Sequence, residues 1–234
     1  MPLPLPLVPV PLLPLPLLVE DAKPVQAMAM TLSLYGGARS RASMPRWYLE
    51  EKGIPYQWVQ LDMEAGEHRQ QPFIDINPFA KVPALVDSAF SDSQGQPLNL
   101  FESGAILLHL AEHYGGEFQG PGGAQRRALA SQWVLFANAT LAIALFVPAN
   151  REKEFPRLME VLDRLLAGGR SLLAPLAGPD AVGDWSVADC AVNAYLAYLP
   201  IFFPQLDLSP YPNVQATISA TQARPAYLRG MGLA

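Results

Sequence analysis

Asn77-Pro78-Phe79-Ala80-Lys81-Val82-Pro83-Ala84-Leu85 sets a proline directly before an apolar run, and Glu102-Ser103-Gly104-Ala105-Ile106-Leu107 follows after a polar loop. A proline at the head of a strand cannot donate to the sheet ladder, and X-Pro bonds are where cis peptides occur. A cis Val82-Pro83 bond would turn the backbone of Val82 outward and offer its N–H and C=O to an extended ligand. Glu102 and Ser103 precede the apolar positions Ala105, Ile106, Leu108, His109 and Ala111, so they fall at a helix start. Exposed N–H groups and the helix dipole favour an anionic group there. The two features together describe a site for a small peptide with one carboxylate end fixed.

Working outward, strands are expected over 31–35, 57–61, 84–86 and 98–100, and helices over 44–52, 69–76 and 103–113. Strands alternating with helices argue an α/β layer. Ser91-Asp92-Ser93-Gln94-Gly95-Gln96 is turn chemistry between two strands. The glycines at 115, 116, 120, 122 and 123 punctuate the chain, and beyond them the pattern is helical: one long helix over 125–147 ended by Pro148, a second over 155–167, a third over 187–199 ended by Pro200. In the first of these, about fifteen nearly unbroken apolar residues fall short of the roughly twenty that cross a bilayer. That run reads as a buried bundle helix with one face lining a cleft. Ser186-Val187-Ala188-Asp189 is close to a capping box, so Asp189 is read as structural. Cys190, next on the same apolar helix, is read as a buried inert thiol.

The chain resembles the cytosolic glutathione transferases from about Met30 to its C-terminus. Beyond the two motifs above, the resemblance is carried by Thr31-Leu32-Ser33-Leu34-Tyr35-Gly36, Trp47-Tyr48-Leu49-Glu50-Glu51-Lys52-Gly53-Ile54-Pro55-Tyr56, Gly66-Glu67-His68-Arg69, Ser186-Val187-Ala188-Asp189 and Ala223-Arg224-Pro225-Ala226-Tyr227. It implies a thioredoxin-like glutathione-binding domain over 30–115 and an all-helical C-terminal domain over 122–234. It also implies a homodimer with no metal or redox cofactor, using glutathione as co-substrate. The implied reaction is addition of the glutathione thiolate to a small hydrophobic electrophile, with peroxidase activity as an extension. A glutathione-dependent isomerase of the maleylacetoacetate type and a non-catalytic binding protein of the same fold stay open as alternatives.

Composition agrees. A chain of 234 residues with 50% hydrophobic residues is ample for one or two domains, and a formal charge of −5 argues against nucleic acid or an anionic membrane as partner. The single cysteine fits a reducing, cytoplasmic compartment. His68, His109 and His113 lack a metal-ligand pattern; His109 and His113, four apart, are read as a partly exposed helix end. Residues 1–19 carry no charge and seven prolines, which defeats a spanning helix. Residues 1–29 are expected to form a polyproline-type, poorly ordered extension.

The chemistry falls to the turn Tyr35-Gly36-Gly37-Ala38-Arg39-Ser40-Arg41-Ala42-Ser43. A free thiol titrates near pH 8.5, so a donor that lowers its pKa by about two units supplies roughly 2.7 kcal/mol to the thiolate. The resemblance implies that this turn delivers the donor. Its serine-type members place Ser40 in that role, whereas the bacterial cysteine-type pattern puts Arg39 where the cysteine would be. The turn is most similar to the cyanobacterial, chi-type branch of the serine and cysteine lineage. Pro45 is comfortable only in a first helical turn, so Ser43 is the expected cap, which frees Ser40, Arg39 and Arg41 to face the ligand. The resemblance further implies that His68, Arg69 and Lys81 hold the glycyl carboxylate. Val82 and Pro83 would pair with the cysteinyl unit, and Glu102 and Ser103 would hold the γ-glutamyl end.

Overall fold

The computed structural model describes residues 31–178 and 182–233; the expected N-terminal extension lies outside the described residues. Strand β1 (Leu32–Gly36) leads through a turn into α1 (Ser43–Lys52), followed by β2 (Gln57–Gln60), α2 (Phe73–Ile76), β3 (Ala84–Ser91), β4 (Pro97–Phe101) and α3 (Ser103–His113). The sheet order is β2-β1-β3-β4, with β1 parallel to β2 and antiparallel to β3, and β3 antiparallel to β4. This is the α/β layer that the alternating pattern predicts, in the thioredoxin-like form that the resemblance implies. Leu32 and Leu34 are fully buried by the period-2 alternation of β1. Gly36, the last residue of β1, leaves room for its neighbours: a Cβ there would lie 2.3 Å from Trp58 and 2.4 Å from Ala42.

Four local expectations are corrected. The third strand runs to Ser91 rather than stopping at 86, because the polar Asp87 that marks its end in the sequence is buried and fully partnered. His109 Nε2 lies 2.8 Å from its Oδ2, and the Tyr114 hydroxyl donates to both oxygens at 2.8 and 2.7 Å. His109 is therefore a largely covered link from α3 to the sheet, its side chain 10% exposed, while His113, one turn on, is exposed as expected of a helix end. The helix expected over 69–76 is a 3₁₀ turn (Glu67–Arg69) and the single turn α2, separated at Pro72, which has no N–H to continue a ladder. Helix α1 starts after Ala42 with no side-chain cap. Ser43 is its first residue, and Pro45 sits in the first turn as the sequence requires.

The helical half begins with α4 (Gly123–Leu135), a π-helical segment (Phe136–Leu141) and α5 (Ala142–Phe146), one continuous path from Gly123 to Phe146. That path is long and apolar enough to cross a membrane by length and composition alone. Here it packs on α3 and on α7 (Val187–Phe202), and Ala130, Val134, Ala137 and Leu141 are buried. Pro148 does not simply end it: as first residue of α6 (Pro148–Leu165) its missing N–H is one that a helix start leaves free anyway. The remaining helices are α8 (Pro212–Gln222) and α9 (Pro225–Met231). Pro200 lies inside α7, which runs past it to Phe202.

One core spans both halves, from Leu34, Trp47 and Leu107 to Val134, Val192 and Leu196. Ion pairs seal the seam between α1 and α9. Arg224 Nε donates to Glu51 at 3.0 Å, with a second Arg224–Glu51 contact, and Arg229 Nε donates to Glu50 at 2.7 Å. Burial pushes the Glu51 carboxyl up, but the hydrogen bonds from Arg224 and Trp47 and the nearby Arg224 and Lys52 charges together outweigh it and hold the group below its ordinary 4.5. The sign follows: this stabilisation is complete above about pH 4.5 and is lost as the pH falls through the lowered value.

Asp189, 2% exposed, anchors the start of α7. It accepts from Ser186 N and Oγ at 2.9 and 2.7 Å, Ser171 Oγ at 2.8 Å and Leu172 N at 2.8 Å. Asp189→Ala strands those buried donors and is expected to cost about 3 kcal/mol or more in urea denaturation. An unchanged midpoint would show that the four donors find other partners.

Candidate active site

The turn between β1 and α1 is built by Ser40. Its hydroxyl donates to Gly37 O at 2.8 Å and accepts from Gly37 N at 3.4 Å and Ala42 N at 3.3 Å. These bonds hold Arg39 in the left-handed region (φ 54), a conformation costly for a residue with a Cβ. Arg39 and Arg41 are both solvent-exposed and flank Ser40.

Two cavities meet at this turn. The smaller, about 310 Å³, is lined by Arg41, Asn77, Lys81, Val82, Pro83, Glu102 and Ser103, with Phe79 and Phe101 at its wall. The Val82-Pro83 peptide is cis, and Asn77 Nδ2 donates to Lys81 O at 2.6 Å, fixing the loop that carries both residues. Glu102 precedes α3 with φ 68, another strained position for a non-glycine residue, and the first-turn N–H groups of α3 begin at Ser103. The larger cavity, about 500 Å³, is lined by Arg39, Ser40, Arg41 and Ser43 from the turn, and by Asn138, Ile143, Phe146, Tyr195, Tyr198 and Phe202 from the helical half. Arg41 lines both.

The structure therefore gathers Lys81, Val82, Pro83, Glu102 and Ser103 in one cavity, and Ser40 and Arg39 in its neighbour. It does not bring His68 and Arg69 into either. They sit on the 3₁₀ turn, where Arg69 Nε donates to His68 Nε2 at 3.1 Å.

The helical half contributes polar groups that the sequence reading passed over. Asn138, inside the π-helical segment, donates its amide to Val134 O at 3.0 Å, which turns Oδ1 toward the cleft. That oxygen accepts from Ser103 Oγ at 3.0 Å and from the Tyr195 hydroxyl at 3.1 Å. Tyr198 and Ser43 share a 2.6 Å hydrogen bond across the two halves. Burial raises the Tyr195 phenol above its ordinary range despite the nearby Arg41 guanidinium, so Tyr195 remains a donor at neutral pH. Gly104 permits the approach: a Cβ there would lie 2.9 Å from Val134 and 3.0 Å from Asn138. The available signals were a lone asparagine in an apolar run and two tyrosines three apart on one helix face. Cys190 is fully buried, donates to Met44 O at 3.5 Å and has its thiol pushed well up by burial, so it supplies no nucleophile.

Fold and site define a thioredoxin-like α/β unit followed by a helical region, with the α3 start and the proline-headed strand lining a cavity beside the cleft between the two halves. Residues 30–112 match the family described as glutathione S-transferase, N-terminal domain. The glutathione S-transferase-like protein OpS6 of Beauveria bassiana is 31% identical over 76% of this chain and 84% of its own length. The disulfide-bond oxidoreductase YfcG of Escherichia coli is 30% identical over the same shares. Among solved structures, a glutathione transferase from Burkholderia graminis with two glutathione molecules bound per subunit superposes with a TM-score of 0.67. It is 30% identical, covering 88% of this chain and 90% of that one. The chain belongs to the glutathione S-transferase family.

Asn138→Leu keeps the branched shape of the side chain but removes the acceptor of two buried hydroxyls. Stability in urea is expected to fall by about 2 kcal/mol. Tyr195→Phe in the Asn138→Leu background should then cost less than in the wild type; equal costs would show that the two residues are not coupled.

Proposed function

We propose that the smaller cavity binds glutathione and that its thiolate adds to a small hydrophobic electrophile in the larger one. The observation that carries this reading is Arg41 at the junction of the two cavities. The γ-glutamyl carboxylate meets the N–H groups at the start of α3, and Glu102 takes the ammonium. Val82 pairs its backbone with the cysteinyl unit, and Lys81 takes the glycyl carboxylate, with Arg69 occupied by His68. The sulfur then emerges beside Arg41. The thiol proton leaves to solvent, sulfur bonds to the electrophilic carbon, and the leaving group departs with the electron pair it shared with that carbon. The exposed Phe79–Phe101 ring pair, 5.4 Å apart at the rim of the glutathione cavity, supports a homodimer covering this edge.

Two donors compete for the sulfur. Ser40 would have to exchange the Gly37 carbonyl for the thiolate, whereas Arg41 lacks an ion-pair partner among the described residues. A charge-assisted bond is about twice as strong as a neutral one, and we assign Arg41 the principal role. Arg41→Gln is expected to raise the pKa of bound glutathione by about one unit, roughly 1.4 kcal/mol, and Ser40→Ala by less. Ultraviolet titration of the bound thiol reads both variants, and an unshifted pKa in Arg41→Gln ends the assignment.

A second reading draws on the size of the larger cavity and on the two glutathione molecules of the Burkholderia relative. The thiolate attacks a disulfide sulfur and expels one thiolate; a second glutathione attacks the mixed disulfide and leaves as glutathione disulfide. Both electrons come from glutathione, consistent with the inert Cys190. Reduction of 2-hydroxyethyl disulfide compared with conjugation of 1-chloro-2,4-dinitrobenzene separates the two. Turnover of the aryl halide alone supports conjugation, and turnover of the disulfide alone replaces it.

A further inference from the structure

The larger cavity is aromatic and aliphatic on the helical side, where Ile143, Phe146, Val147, Ile201 and Phe202 form the wall and the Phe146 and Phe202 rings stand 6.1 Å apart. On the opposite side stand two guanidinium groups. The residues lining this cavity include no carboxylate, and among the described residues neither Arg39 nor Arg41 makes an ion pair. The only lining carboxylate of the pair of cavities is Glu102, on the glutathione side. With Arg41 and Lys81 facing glutathione, Arg39 is a surplus positive charge beside an apolar chamber. Its position is imposed: the three hydrogen bonds of Ser40 hold Arg39 left-handed at the cavity, against the ordinary preference of its backbone.

We propose that the second substrate is an aromatic electrophile carrying an anionic group, a carboxylate in the simplest case, which Arg39 receives while the ring lies against Phe146 and Phe202. This rests on the two-cavity reading above. The apolar wall excludes water from one side of the ion pair, so the contact is stronger than between two freely solvated charges. Arg39 is still exposed, and the expected discrimination is about fivefold. Arg39 then selects the substrate, and Arg41 serves the sulfur.

The test compares 4-chloro-3,5-dinitrobenzoate with its neutral trifluoromethyl counterpart, each kcat/KM divided by the uncatalysed rate with glutathione. The wild type is expected to favour the carboxylate about fivefold, Arg39→Gln to lose that preference, and Arg39→Lys to recover most of it. No preference in the wild type, or one that survives in Arg39→Gln, overturns the proposal. So does an equal fall for both substrates in Arg39→Gln, because that places Arg39 at the thiolate. If neither substrate reacts, the conjugation reading has failed. Calorimetric binding of the two preformed S-aryl glutathione conjugates then decides the Arg39 question: tighter binding of the carboxylate conjugate, lost in Arg39→Gln, supports it, and equal affinities overturn it.

Discussion

The close approach of α3 to the π-helical segment is the contact on which the cleft depends. Gly104 leaves room for Asn138, and Asn138 Oδ1 then takes hydroxyl protons from Ser103 of the sheet domain and Tyr195 of the helical domain. A regular α-helix with a hydrophobic residue here would leave both hydroxyls without that acceptor. The π-helical turn places a polar side chain where the helix would otherwise present a wholly apolar face, in keeping with the occurrence of such segments at functional sites.

That contact also explains the division of labour at the helix start. With its hydroxyl proton given to Asn138, Ser103 keeps its backbone N–H, together with the next N–H groups of α3, as the donors that the helix start leaves free. Ser40 is similarly committed, to Gly37. Both serines that a motif reading places against the ligand are thus chiefly architectural in this structure: one fixes the domain seam, the other fixes the turn. Arg39 and Arg41, which flank Ser40 in that turn, make no ion pair among the described residues.

The rest of the seam keeps the two cavities in register. Tyr198 to Ser43 ties the beginning of α1 to α7 beside the larger cavity. Glu117, just after α3, accepts from Tyr48 at 2.8 Å and from Val187 N at 3.0 Å, joining α1 to the start of α7. Arg224 and Arg229 close the far end of α1. A site split between domains needs this redundancy, because a small rotation of one half would separate Arg41 from one of its two cavities.

The sequence by itself determined what neighbouring residues decide among themselves. Alternating strands and helices gave the α/β half, Pro83 marked the head of β3, Glu102 and Ser103 marked the start of α3, and Ser186 with Asp189 marked the start of α7. Each is a signal within a few residues, where backbone geometry and capping chemistry suffice. Where a local signal has two uses the sequence shows only one of them: Pro148 follows the end of the long helix as expected but also opens the next, which starts there and not at 155, and Asp87 ends a strand only if its charge has no buried partner. Only the tertiary structure decided the bonds between distant segments, 35 residues apart for Ser103 and Asn138, 57 for Tyr195 and Asn138, and 155 for Ser43 and Tyr198. Those pairs have no periodicity to announce them. They exist because two separately legible halves share one core, and the polar groups caught at its edge must find partners across it.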